Sequence, residues 1–109
     1  MAETITLEEF KRVDLRVGEV VSCERVEGTD RLLKLTVDLG NETRQLVAGI
    51  AAHYEPRHLI GVQIVVVCNL KPAVIRGIES QGMLLAVQDG QVLGILTPER
   101  RVQNGSRVS

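Results

Sequence analysis

Apolar and polar residues alternate along most of the chain, and the places where the alternation breaks mark element boundaries. Leu33, Leu35, Val37 and Leu39 alternate with Lys34, Thr36 and Asp38, the period of a strand with one buried face. From Val13 the same period sets Val13, Leu15, Val17, Val21 and Cys23 on one side, and Asp14, Arg16, Ser22 and Glu24 on the other. It falters at Gly18-Glu19-Val20, where a glycine lets a long strand coil or bulge. Upstream, Thr6 and Glu9 have the spacing of a capping box, which predicts a short helix ending near Arg12. Turns at Glu27 to Asp30 and at Gly40-Asn41 separate the first strand from the second, and the second from a third at Thr43 to Ile50. Ala51 to Gly61 predicts a short helical insert, with Pro56 at a helix start and Gly61 as its stop. Val62 to Leu70 is apolar on both faces and predicts a central fourth strand. Met83 to Val87 and Val92 to Leu96, joined by Asp89-Gly90, predict a fifth and a sixth. The polar tail from Thr97 holds one more short strand at Arg107-Val108.

Three strands, a short helix and two further strands is the order of the five-stranded Greek-key barrel called the OB-fold. The expected fold class is therefore all-β: an OB-fold barrel over residues 1–109 as one domain, with a short helix between strands three and four, an N-terminal helix and a C-terminal strand extension. Such barrels bind oligonucleotides on the face of strands two and three, between the loops joining strands one to two and four to five. The second of those loops is long here. A hairpin needs only two to five residues to reverse the chain, and long polar loops are more often binding loops than spacers. On this map Arg31 ends the first loop, Lys34 lies on the polar side of strand two, and Arg44 begins strand three. Lys71, Arg76, Ser80 and Gln81 fill the long loop. All are expected on one face; the alternative is that these charges only solvate a barrel.

The charge balance sharpens this. The net charge is −1, which excludes a blanket polyanion binder. Residues 1–30 nevertheless carry a net −4 and residues 31–76 a net +3, so a local basic surface is compatible with an acidic total. Aromatic content is 2%, with one Phe, one Tyr and no Trp. Binders of splayed single strands stack bases on aromatic rings, and two rings make no such platform. What remains is Lys and Arg on phosphates, with polar side chains and backbone amides on ribose or exposed base edges, a chemistry that reads the shape of a folded RNA.

Other classes find little support. No apolar run approaches the ~20 residues of a membrane helix, and the acidic N-terminus lacks the order of a signal peptide, so a cytoplasmic location without a membrane partner is expected. Cys23 and Cys68 lie in Val-rich segments and read as core thiols. His53 and His58 are five apart on a segment broken by Pro56, so they are no zinc pair. There is no Cys-x-x-Cys, glycine-rich phosphate loop or Gly-x-Ser-x-Gly, and neither cofactor nor catalysis is expected.

Four segments, DLRVG (14–18), LVAGI (46–50), NLKP (69–72) and GIESQGM (77–83), resemble the tRNA-binding domain found at the C-terminus of methionyl-tRNA synthetases and as free-standing tRNA-binding proteins. The resemblance covers essentially the whole chain, and the length is similar to the free-standing form. It implies a homodimer that binds tRNA, alone or with an aminoacyl-tRNA synthetase. It carries the family's binding residues onto Asn69, Lys71, Arg76, Ser80, Gln81 and Met83, with Lys34 and Arg16 as outlying candidates. Each has a structural alternative: Asn69 as a turn former, Met83 as a core residue, Arg16 as the ion-pair partner of Asp14. A related branch, the CsaA-type export chaperones that bind unfolded polypeptides, shares the barrel and is the alternative function.

Overall fold

The computed structural model describes residues 2–109. Helix α1 (Leu7–Lys11) is held by the expected capping box: the Thr6 hydroxyl accepts from the Glu9 amide at 3.1 Å, and the Glu9 carboxylate accepts from the Thr6 amide at 3.0 Å. Strands β1 (Leu15–Arg25), β2 (Leu33–Asp38) and β3 (Thr43–Ala48) form an antiparallel meander. Helix α2 (Pro56–Leu59) starts on its proline, and β4 (Gln63–Val67) then pairs with the other edge of β1. Beyond β4 the elements shorten: β5 (Ala73–Ile75), β6 (Ile78–Ser80), β7 (Met83–Leu84), β8 (Ala86–Asp89), β9 (Val92–Ile95) and β10 (Arg107–Val108). The main sheet runs β3-β2-β1-β4-β7, with β10 added to β1. The result is a nearly closed OB-like barrel with short helices, as the strand order predicts. No helix among the described residues is long and apolar enough to cross a membrane.

Two local readings change. The long connection after β4 is not open loop, because β5 and β6 form a hairpin within it. The expected fifth strand divides at Leu85: β7 pairs with β4, whereas β8 pairs with β9 in a separate two-stranded sheet. Leu85 bridges the two, its amide donating to Val65 O and its carbonyl accepting from Leu96, each at 3.0 Å.

The barrel interior is aliphatic. Val20, Leu33, Leu35, Val37, Leu46, Leu59, Ile64 and Val66 are almost wholly buried. The register in β1 slips between Val20 and Ser22, so Val20 and Cys23 both face the core and Val21 is left exposed. Leu15 and Val17 do not join this core. They lie on the outer face with Val65 and Val67, and Leu15, Val65, Val67 and Val108 make a second, smaller cluster. This is why β4 is apolar on both faces: its inner residues fill the barrel, and its outer ones are covered from the chain's end.

The polar tail is fastened by a buried glutamine. Gln63 Nε2 donates to Val102 O at 2.6 Å and to Asn104 Oδ1 at 2.9 Å, while its oxygen accepts from the Val102 amide at 3.1 Å. Arg101 pairs with Glu19, and the amides of Val17 and Gly105 bond across to Ser106 and Val17 carbonyls.

Gly18 is required by space. It faces the interior beside Ile64, and a Cβ there overlaps Val37 Cγ1 and comes within 2.8 Å of Leu39 Cδ2. Gly18→Ala should destabilise the protein by about 1–3 kcal/mol through overpacking. Chemical denaturation checks this, and an unchanged midpoint would mean that the strand yields without cost.

Candidate nucleic-acid interface

Strand β3 is the edge of the meander, and its outward amides need partners in a structure that buries them. The chain supplies them from the segment between β6 and β7. Gln81 N donates to Gln45 O at 2.8 Å, and Gln45 N donates to Gln81 Oε1 at 3.0 Å. Val47 N donates to Ser80 Oγ at 3.0 Å, and that hydroxyl donates onward to Gly82 O at 3.0 Å. Gln45 Nε2 adds a bond to Glu79 O at 2.8 Å. Gly82 has φ +148°, and a Cβ there would stand 2.9 Å from Val67 O. Ser80 and Gln81 thus close the barrel seam. Ser80 is buried with its hydroxyl engaged as donor and acceptor, whereas Gln81 is exposed and keeps a free amide NH2 among the described residues.

The seam fixes the β5–β6 hairpin, and with it the bases of the long connection. At its tip Arg76 and Gly77 have φ of +53° and +79°, the signs of a two-residue primed turn. Gly77 adopts this freely. Arg76 is the one non-glycine residue in the left-handed region among those described. Ile78, just beyond the tip, shares a cleft with Glu24, Arg25, Val26 and Lys34, so the hairpin leans on the outer face at the far end of β1.

The predicted bases then divide by their partners. Arg16 and Arg44 turn inward, opposite Val66 and Val37, and plug one end of the barrel with Asp14 and Glu42. Arg16 Nε lies 3.0 Å from Asp14, and Arg44 Nε lies 2.9 Å from Glu42. Arg44 Nη1 also donates to the carbonyls of Cys68 and Gln81. The hydrogen bond from Arg44 holds the Glu42 carboxyl below its usual range, and the Arg44 guanidinium is stabilised in turn. Burial pushes the neighbouring Cys68 thiol up. Lys34 is paired with Glu24 at 2.8 Å on the outer face. Arg31, Lys71 and Arg76 are exposed and carry no ion pair among the described residues.

Asn69 acts as a clasp between chain segments. Its oxygen accepts from the Asp14 amide at 2.8 Å, and its amide donates to Arg12 O at 2.6 Å. Met83, which the sequence also allows as a core residue, is half exposed and lines an apolar groove of about 510 Å³ with Ile75, Val87 and Leu93. The ten candidates therefore do not converge on one face. Lys34 and Arg76 lie at one end of the barrel, while Asn69 and Lys71 lie at the other. Three exposed bases near Asn69 and Lys71, namely Lys11, Arg12 and Arg107, were not among the candidates. The sequence signal for them was only a basic end to α1 and one of three arginines in the tail.

These features define a class: an OB-like barrel that presents a hairpin with an unpaired base at its tip. Within it, the chain belongs to the tRNA binding domain family, whose family model matches residues 15–107. The family is a non-catalytic binding module. The chain is 52% identical over 105 residues to methionine–tRNA ligase of Thermotoga maritima, covering 96% of this chain and 17% of that protein. With the ligase of Deinococcus radiodurans it shares 51% over 105 residues, covering 95% and 15%. It thus spans about a sixth of the length of these curated relatives. Among solved structures, a MetRS-related protein from Pyrococcus horikoshii superposes with a TM-score of 0.93 at 37% identity, covering 99% of this chain and all of that one. The chaperone CsaA from Bacillus anthracis superposes with a TM-score of 0.88 at 31% identity, covering 98% and 100%.

The backbone at Arg76 is testable without a ligand. A left-handed non-glycine residue costs roughly 1–2 kcal/mol, and asparagine is the residue that a primed turn favours before glycine. Arg76→Asn should raise stability by about 0.5–1 kcal/mol in thermal unfolding. A lower melting temperature would show that the Arg76 side chain holds the hairpin.

Proposed function

We propose that this chain binds tRNA through exposed bases on the hairpin, before it and in the loop between β1 and β2, recognising the backbone and folded shape rather than a base sequence. The observation that carries the reading is the division of charges: Arg31, Lys71 and Arg76 stand exposed without ion pairs among the described residues, whereas Arg16 and Arg44 are tied into the barrel. Phosphates can engage the former at little desolvation cost. The two aromatic rings support the same mode. The Tyr54 hydroxyl is engaged by Ile95 N at 3.1 Å and Leu93 O, and Phe10 sits in α1, so no pair of rings is free to stack bases. The relatives favour a role beside a methionyl-tRNA synthetase, in cis or in trans, in the cytoplasm. Lys71, Arg76 and Arg31 make the main contacts, with the free Gln81 amide and Lys34 at the rim. Asn69, Ser80, Arg16 and Arg44 act on binding by holding the frame.

A homodimer is part of this reading. Leu93 and Ile95 pack back onto the core, but Val87, Val92, Met83 and Leu96 remain exposed along β7 to β9. A second copy covering them would bring two basic faces into one footprint and raise avidity. Light scattering at micromolar concentration should give twice the 12.0 kDa of one chain. A monomer mass would remove the dimer.

A second reading has two observations in its favour. The apolar groove beside Met83 and the likeness to CsaA suit an extended unfolded polypeptide. Under this reading unfolded protein binds and tRNA does not, so the two ligands measured side by side separate the readings.

The tRNA reading makes quantitative demands. With about four to six phosphates neutralised, log K against log salt should have a slope of about −3 to −5. Reversing Lys71 and Arg76 to Glu should weaken binding by about 2 kcal/mol or more, while stability shifts by less than about 0.5 kcal/mol. A slope near zero, or a binding loss explained by unfolding, would overturn the electrostatic mechanism.

A further inference from the structure

The bases at the α1 end of the barrel form a second cluster, separate from the hairpin tip. Three contacts assemble it. Asn69, at the exit of β4, holds Arg12 O at 2.6 Å, and Lys71 follows two residues later. Arg107 in β10 donates to Lys11 O at 3.2 Å. Val13 lines two adjoining clefts, one shared with Arg12, Asn69 and Leu70 and the other with Lys11, Phe10 and Arg107. Lys11, Arg12, Lys71 and Arg107 are all exposed, and none is ion-paired among the described residues.

The acids nearby do not cancel this charge. Asp14 is engaged by Arg16 at 3.0 Å, and Glu9, which lines the cleft beside Arg12 and accepts from the Thr6 amide, keeps its charge, so Glu8 and Glu9 offset only part of the four bases. Glu8 lies on the same helix and is not within ion-pair distance of Lys11 or Arg12. Folding also gathers these bases at some cost, because Arg107 is set directly opposite Arg16 in the β1–β10 pairing. The cluster lies at the opposite end of β1 from the hairpin tip: Asn69 holds the Asp14 amide just before the strand begins, and Ile78, beside the tip, meets Glu24 and Arg25 where it ends. Lys71, two residues after Asn69, belongs to the first of these ends.

We infer that Lys11, Arg12 and Arg107 form a second phosphate-binding surface, which engages a different stretch of RNA backbone from the one held at the hairpin tip. The inference rests on the tRNA reading. It extends the footprint along the barrel axis, so a rigid, folded RNA with backbone at both ends binds better than a short oligonucleotide.

The test measures total tRNA binding across a salt series for the wild type, Lys11→Gln with Arg12→Gln, the charge-keeping Lys11→Arg with Arg12→Lys, and the control Arg57→Gln. Among the described residues neither Lys11 nor Arg12 uses its side chain in a hydrogen bond, so the neutral pair should fold normally; Arg57 lies in α2, which packs on β1. The neutral pair should show a salt slope shallower by about 1.4–1.8, at roughly 0.7–0.9 per lost contact, and about 25- to 60-fold weaker binding at 0.1 M salt. The charge-keeping pair and the control should stay within about twofold of wild type. Unchanged affinity and slope in the neutral pair would overturn the second surface while leaving the tRNA reading intact. Weaker binding with an unchanged slope would also overturn it, since phosphates would not be the ligand. A wild type that binds no tRNA would overturn the reading on which the inference rests.

Discussion

An unpaired strand edge governs this molecule. A three-stranded meander ends in β3, whose outward amides at Gln45 and Val47 face the segment that returns from β4. No regular ladder forms there. Instead a serine hydroxyl and a glutamine amide reach across, with one backbone bond and one bond from the Gln45 side chain to Glu79 O beside them. A buried amide left unpaired costs about 1–3 kcal/mol, so this seam is held firmly. Because Ser80 ends β6 and Gln81 follows it, holding them fixes the hairpin they terminate, and the hairpin carries Arg76 at its tip. The position of the proposed binding surface is thus a by-product of closing the barrel.

Ion pairing sorts the bases by role. Surface pairs contribute only about 0–1 kcal/mol each, so their value here lies in showing which charges the fold already uses. Arg44 is the clearest case: it bonds Glu42 and two carbonyls, and it closes the barrel end beside Cys68. A phosphate would have to break that set to reach it. Lys71, Arg76, Lys11 and Arg12 hold nothing in place with their charges, so binding through them competes with no internal contact. The strained backbone at Arg76 fits this division, since a long cation stands where an asparagine would be more comfortable.

The chain's two ends meet on the outside of the barrel. Val108 covers Leu15, Val65 and Val67, and Arg107 reaches the last turn of α1. Gln63 is the hinge of this arrangement, a buried amide satisfied only because the tail runs past it. The terminal segments therefore do structural work and also present bases next to Asn69 and Lys71.

The alternation of Leu33 to Leu39 determined by itself that β2 is a half-buried strand, since only one face of a pleated sheet meets the core. The Thr6–Glu9 spacing likewise determined α1, and the strand order with Pro56 determined an OB-like barrel, because these are local rules read over short windows. The motifs from Asn69 to Met83 were enough to indicate the family. Tertiary structure alone decided which polar residues are free. Arg16, Arg44, Ser80 and Asn69 have the residue types of ligand contacts, and their hydrogen-bond partners lie 24 to 57 residues away for Arg44, Ser80 and Asn69. Nothing in a local pattern encodes such pairings. The same holds for Lys11, Arg12 and Arg107: a helix end and a tail become one charged surface only when β10 adds to β1. Charge type is written in the sequence, whereas its availability depends on what the folded chain brings within hydrogen-bonding distance.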